Sequence, residues 1–415
     1  MLRGYTIPIL DLAADTFRQS IVDREKGQYL GHPTTVLLDD GKTILTVYPK
    51  SHGKGPIVMK KSPDGGLTWS ERLRVPDSWA TSLEVPTLYK TVGPDGKGHL
   101  IMFSSLYPIR MAHSEDEGRT WTELEPIGDY GGIVGMADVT EVGCGEYLAF
   151  FHDDGRYFRP KGTNRTEVYV AGEGVNALSR IVYSAADGKG GWVPTGVWNC
   201  SKKAEGIPGP EWEKRFETIS DLDGSAGNRG HFTVYSVRSK DGGLTWGEPH
   251  IVCTHPEAFL CEPGVVRSPD GKQLAMLLRE NSRKFNSFVT FSDDNGETWS
   301  EPREVQGALT GDRHTIRYLK DGRLFISFRD TCLDSPTQND WCGWVGTYED
   351  IAEGREGQYR VRLMKNYDGA DCAYPGVIVL PDGTVAATTY GAWTQGEKQY
   401  VVTVRIRGDE LLAVS

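Results

Sequence analysis

The sequence predicts an all-β chain, a six-bladed β-propeller with four-stranded antiparallel blades. Three observations predict it. A Ser-x-Asp-x-Gly-x-Thr-Trp motif occurs four times, ending at Trp69, Trp121, Trp246 and Trp299. Six segments open alike, with a polar leader and then an apolar strand. The 50 glycines, 11 tryptophans and 18 tyrosines fit many short strands joined by tight turns.

Each motif copy reads as a hairpin corner. Copies follow apolar runs such as Ile57-Val58-Met59 and Phe288-Val289-Thr290-Phe291. Asp bonds back to nearby amides, and Gly accepts positive φ, so both suit a tight turn. The Trp then re-enters a strand and buries a large apolar area. A motif repeated once per unit holds the fold together rather than forming a site.

The six leaders are His32, Glu84, Met136 (with Asp138), Glu262, Arg313 and Tyr374. Second strands are expected at 43–48, 100–103, 147–151, 273–278, 324–328 and 385–390. The interval from Met136 to Glu262 is far longer than the others. It holds a degenerate corner at Ser184–Trp192 and a polar stretch, Lys202–Gly230, with little strand character. We read a single domain spanning 1–415 with an insertion around 193–230 in the third blade. Seven blades is the alternative. The segment Tyr5–Leu12 is expected to close the last blade, because closure removes sheet edges.

Composition excludes several functions. A net charge of −11 argues against nucleic acid and anionic membrane surfaces as partners. Seven scattered cysteines show neither CxxC nor Cys/His ligand spacing, so no zinc site or other cofactor is expected. The N-terminal residues lack the features of a signal peptide, and no apolar run approaches transmembrane length.

In a propeller the innermost strands line a central channel, and ligands sit over one end of it. The leaders His32, Glu84, Asp138, Glu262, Arg313 and Tyr374 are therefore expected to converge at one mouth, suited to a polar substrate or to pairing across a wet channel.

The repeated motif is the Asp-box, and the chain from His32 to Tyr390 resembles the sialidase superfamily. The resemblance implies a retaining glycosidase in which a tyrosine nucleophile is partnered by a glutamate. In register with the repeats, Tyr374 matches the tyrosine, Glu262 the glutamate, and Arg279 an arginine that grips the substrate carboxylate. A neutral phenol approaches an anionic sugar without charge repulsion, and a neighbouring carboxylate takes its proton.

Departures from the family accompany these matches. Sialidases carry an arginine where this chain has Gly31-His32-Pro33, and an imidazole does not replace a bidentate guanidinium fork. Near Trp341–Val345 there is no clean counterpart of a third arginine; Arg313 or Arg329 is expected to converge with Arg279 instead. The family's acid/base aspartate has no equivalent in the loop Pro49–Pro56, where His52 can shuttle a proton and Lys54 can bind an anion. The resemblance implies exo-hydrolysis of a terminal, acidic sugar from a glycan or oligosaccharide. The alternatives are a lyase or non-sialic hydrolase on the same scaffold, or a non-catalytic glycan-binding propeller.

Overall fold

The computed structural model describes residues 3–157, 162–220, 230 and 232–412. The chain is all-β, and its described strands form seven sheets. Six share one pattern. The first comprises Thr34–Leu37, Ile44–Pro49 and Ile57–Ser62, and the second Pro86–Val92, Gly98–Ser104, Arg110–Ser114 and Glu125–Pro126. The third comprises Ile133–Gly143, Glu146–Asp153, Thr233–Ser239 and His250–Thr254. The fourth runs from Leu260–Arg267 through Leu274–Glu280 and Phe288–Ser292 to Arg303–Glu304. The fifth runs from Gly311–Tyr318 through Leu324–Asp330 and Trp341–Gly346 to Tyr359–Met364, and the sixth comprises Gly376–Val379, Val385–Gly391 and Tyr400–Ile406. No helix of the described residues is long and apolar enough to cross a membrane.

Second strands such as Ile44–Pro49, Leu324–Asp330 and Val385–Gly391 are buried along their whole length. Both of their faces meet a neighbouring sheet, so their sequences read as continuous rather than alternating apolar runs. The hydrophobic core is accordingly divided into layers between successive sheets. One layer holds Leu45, Val47, Leu88 and Met102, and another holds Leu277, Val289, Ile326 and Trp344.

The first strands of the six sheets contact one another in sequence, and the last contacts the first. Each junction has its own contact. Thr34 Oγ1 accepts from Leu88 N at 2.9 Å, Tyr89 Oη donates to Met136 O at 2.8 Å, and Asp138 Oδ2 accepts from Val265 N at 2.6 Å. Tyr318 Oη donates to Arg267 O at 2.6 Å and Thr315 Oγ1 to Pro375 O at 2.7 Å. At the sixth-to-first junction a side chain on Gly376 would lie 2.2 Å from Thr35 Oγ1, so only glycine fits.

The four repeated motifs fasten each sheet to the one before it. In every copy Ser Oγ accepts from the Gly amide four residues on, and the Asp carboxylate binds both N–H and hydroxyl of the Thr. The Gly before the Thr has φ between +81° and +89° in all four copies. A Cβ at Gly118 would meet Leu45 at 2.5 Å, and one at Gly296 would meet Leu148 at 2.3 Å, both in the preceding sheet. Trp246 packs edge-on against Phe103, and Trp299 against Phe150, again one sheet back.

Three expectations need correction. Residues Ile9–Asp11 do not close the last sheet; they pair in parallel with Tyr359–Met364 of the fifth, and Gln19–Asp23 pairs with Tyr400–Ile406 of the sixth. Both edge strands were open to pairing, so the N-terminal segment covers two of them. Strand number also varies. The fifth sheet has five strands and the first three, with 70–73 joined to the first by Ser70 N→Lys61 O and Leu73 N→Met59 O without forming a strand. Finally, the stretch from Lys202, expected to have little strand character, includes the strand Glu213–Ser220, and the inserted structure begins earlier in the long interval than 193. That interval contains a four-stranded sheet of Asn164–Ala171, Leu178–Ala186, Trp192–Asn199 and Glu213–Ser220. Glu213–Ser220 shows no alternating apolar pattern, because Phe216 is the one apolar residue on its more buried face and Ile219 lies on the exposed one. The expected stretch at 221–229 lies outside the described residues.

This additional sheet docks beside the first and second sheets. Lys50 Nζ donates to Val175 O at 2.6 Å, Lys54 Nζ donates to Tyr183 Oη at 3.0 Å, and the Arg110 guanidinium lies 4.0 Å over the Phe216 ring. The loop that carries His52 is thereby held from both ends.

Candidate active site

Glu262 owes its position to a break in strand register. Pairing with the next strand skips between Cys261 and Gly264, and Glu262 has φ +49°. Arg313 sits in a similar irregularity with φ +57°, and His32 and Ala373 have φ +58° just ahead of their strands. Left-handed conformation at non-glycine residues costs about 1–3 kcal/mol each and is retained where a side chain must be aimed.

The result is a tight triangle. Tyr374 Oη donates to Glu262 Oε1 at 2.5 Å, and Arg279 Nη1 donates to the same carboxylate oxygen at 2.6 Å and to Tyr374 Oη at 2.8 Å. Glu262 Oε2 is buried with no hydrogen-bond partner among the described residues. Burial, and then the charge of Glu262, push the Tyr374 phenol above its ordinary range, while Arg279 and Arg329 oppose the rise. The phenol therefore stays protonated until a base takes its proton, and the acceptor is already in contact.

Beside the triangle three arginines meet one carboxylate. Asp312 is fully buried and accepts from Arg283 at 2.6 and 2.7 Å and from Arg329 at 2.9 and 2.6 Å, with Arg279 Nε at 3.2 Å. Burial works against its ionisation, but Arg279, Arg329 and Arg283 together hold the carboxyl far below the usual carboxylate range. Arg279 Nη2 also donates to Asn281 Oδ1 at 2.6 Å, Arg329 Nη1 donates to Ala370 O at 2.5 Å, and the Arg329 guanidinium lies 5.6 Å over the Tyr374 ring.

On the opposite side of Tyr374 lies a second polar group. His32 packs its ring 4.8 Å from that of Tyr374, and Tyr390 Oη meets His32 Nε2 at 2.9 Å and donates to Asp371 Oδ1 at 2.8 Å. Asp371 Oδ2 accepts from Tyr29 Oη at 2.9 Å and faces His52 Nδ1 at 3.1 Å. Burial lowers the basicity of His32, which is neutral near pH 7. Burial disfavours the Asp371 carboxylate, yet hydrogen bonds from His52 and Tyr390 and the nearby imidazoles keep it ionised. The His52 side chain is 64% exposed, so its ring reaches solvent while Asp371 holds one nitrogen. Ring nitrogens and carboxylate oxygens of His32, His52 and Asp371 lie within 4.8 Å of one another, a spacing that can hold a cation.

The remaining predicted residues are placed differently. Arg313 does not join Arg279. Arg313 has a left-handed backbone and lines a separate cavity with Asp138, Tyr89 and Thr35. The Asp138 carboxylate accepts from the amides of Val139 and Val265. Glu84 is half-buried near Lys54 and His52, packed against Gly53, and burial raises its carboxyl. The sequence reasoning missed Tyr29, Asp371, Tyr390, Asp312 and Arg283. Repeat register pointed to Tyr390, which ends its strand as Arg279 and Arg329 end theirs. No sequence signal marked Asp312.

Residues 221–387 match the family described as the BNR repeat-like domain. Over 94% of this chain and 97% of its own, a protein of unknown function from Dyadobacter fermentans superposes with a TM-score of 0.57 at 15% identity. The Hadza microbial sialidase Hz136 superposes with a TM-score of 0.52 at 14% identity, over 93% of this chain and 66% of its own. The chain has a sialidase-like fold. The intramolecular trans-sialidase from Ruminococcus gnavus gives a TM-score of 0.45 at 16% identity over 93% of this chain and 96% of its own. No curated protein matches the chain in sequence. For this sialidase-like chain the likeness is one of fold, and chemistry has to be argued from its own residues.

Proposed function

We propose that the chain is an exo-acting glycoside hydrolase on a six-bladed propeller, with the four-stranded sheet of residues 164–220 inserted in the third blade. Cyclic contact among six first strands supports the blade count. One observation carries the chemistry: a buried tyrosine hydroxyl hydrogen-bonded at 2.5 Å to a carboxylate that also receives an arginine.

In the reaction Glu262 accepts the Tyr374 proton as the phenolate oxygen attacks the anomeric carbon of a terminal sugar. Arg279 and Arg329 stabilise the developing phenolate. The glycosidic bond breaks, and His52, oriented by Asp371, donates a proton to the departing oxygen. Water then attacks the anomeric carbon of the glycosyl-tyrosine and loses its proton to His52, while the departing Tyr374 oxygen takes its proton back from Glu262, and the sugar leaves with its configuration retained.

A screen of aryl glycosides, with Tyr374→Phe as control, tests this reading. Turnover abolished by Tyr374→Phe, with a sugar adduct on the Tyr374 peptide of slowly turning-over substrates, is the expected result. Full activity in Tyr374→Phe overturns it. The His52–Tyr29–Asp371 group favours one alternative, a polysaccharide lyase that abstracts a proton beside a carboxylate. Its products would carry a new ultraviolet-absorbing double bond.

A further inference from the structure

The mouth contains three arginines close to Tyr374, which would ordinarily mark an anion site. Their hydrogen bonds point inward instead. Asp312 takes two N–H groups from Arg283 and two from Arg329 and faces Arg279 Nε. Glu262, Tyr374 and Asn281 take three of the four terminal N–H groups of Arg279, and Ala370 O takes one from Nη1 of Arg329. Every nitrogen of both guanidinium groups thus already faces a protein acceptor, Arg279 Nε and Arg329 Nε and Nη2 facing Asp312. Charges nearby are offset as well. Glu262 and Asp312 lie against Arg279, Arg283 and Arg329, Asp371 lies against His52, and His32 is neutral. The protein as a whole carries a net charge of −11, so no long-range field draws anions in.

We infer that Asp312 is a built-in occupant of the arginine cluster, and that the site takes a terminal sugar without a carboxylate. A sugar acid would have to displace a fully buried carboxylate held by three guanidinium groups, or else leave its own charge unpaired in a closed site. A neutral sugar meets neither obstacle, and Asn281, Arg283 and the tyrosine hydroxyls remain as hydrogen-bonding partners for its hydroxyls. Asp312 is thus a specificity-determining residue that acts by positioning Arg279 and Arg329. The word substrate here rests on the glycosidase reading above; the occupied state of the arginines does not.

Two measurements test the inference. In the first, thermal melts of the parent protein are recorded with glucuronate, galacturonate and free sialic acid, and rates are compared for 4-nitrophenyl glucoside against glucuronide, galactoside against galacturonide, and 4-methylumbelliferyl sialoside. No stabilisation by the acids is expected, nor any preference for an acidic member of a pair. An acid that stabilises the parent, or a carboxylated glycoside turned over better than its neutral twin, overturns the inference. In the second, Asp312→Ala is titrated with sodium formate. Formate should enter the vacated position and raise the melting temperature of the variant but not of the parent, with affinity roughly tenfold to a hundredfold above the parent's. Equal response of the two proteins to formate also overturns it. Should Asp312→Ala fail to fold, the parent measurements decide alone. If formate binds the variant selectively and no glycoside is hydrolysed, the glycosidase reading fails while the role of Asp312 stands.

Discussion

Tyr374 and Glu262 are joined by a 2.5 Å hydrogen bond although 112 positions separate them in the sequence. Bond and burial together make Glu262 the first acceptor for the phenolic proton. Glu262→Gln keeps the shape and removes the base, so turnover should fall about 10²–10⁴-fold with little change in melting temperature. Steady-state kinetics on the best aryl glycoside checks this, and an unchanged rate would remove Glu262 from the mechanism.

His52 should matter in proportion to the leaving group. A nitrophenolate departs without protonation, whereas an alkoxide needs a proton. His52→Ala should therefore slow alkyl glycosides far more than dinitrophenyl glycosides, and Asp371→Asn should do the same more weakly. Uniform loss across the leaving-group series would assign His52 to binding or structure.

Stability should fall as pH drops from about 6.5 toward 4. Burial pushes His152 down to about 3 and His314 down to about 4, and lowers His32 as well. Above pH 6.5 these groups are neutral in both states and contribute nothing. Below it the unfolded chain gains protons that the native state refuses, which destabilises the fold by up to about 1.4 kcal/mol per pH unit for each histidine. The slope ends as pH passes the native values. His314→Gln, whose amide can still donate to Leu309 O, should flatten this part of a stability-versus-pH curve measured by urea unfolding.

The motif glycines should be more sensitive than glycines of the same backbone conformation elsewhere. Gly296 and Gly271 have φ +85° and +78°, but only at Gly296 would a Cβ meet another sheet, at Leu148. Gly271→Ala should cost about 1 kcal/mol through its backbone alone. Gly296→Ala should cost an additional ~1–3 kcal/mol from overpacking. Equal losses in chemical denaturation would show that the close approach is relieved cheaply.

Much of this architecture was legible because it repeats. Once the leaders were in register, the resemblance to sialidases pointed to Arg279 at the end of its strand, and the structure brings that residue, Glu262 and Tyr374 into contact. Asp312 was hidden because its partners, Arg283 and Arg329, lie in other loops and strands, and nothing local distinguishes it from a channel-lining polar residue. The additional sheet escaped notice for a related reason. Its strands pair outside the repeat, and Glu213–Ser220 pairs with Asn164–Ala171 across two intervening strands.

The N-terminal strands carry a consequence for how the chain comes together in time. Ile9–Asp11 and Gln19–Asp23 are made well before their partners at Tyr359–Met364 and Tyr400–Ile406. During synthesis the early segment waits unpaired while sheet after sheet assembles ahead of it. Pairings of such sequence separation form slowly and leave strand edges exposed meanwhile. The hydrogen bonds from Gln19–Asp23 to Tyr400–Ile406 thus act as a clasp that cannot fasten until Tyr400–Ile406 has been made, so a polypeptide truncated before Tyr400 retains two open edges and a route to aggregation.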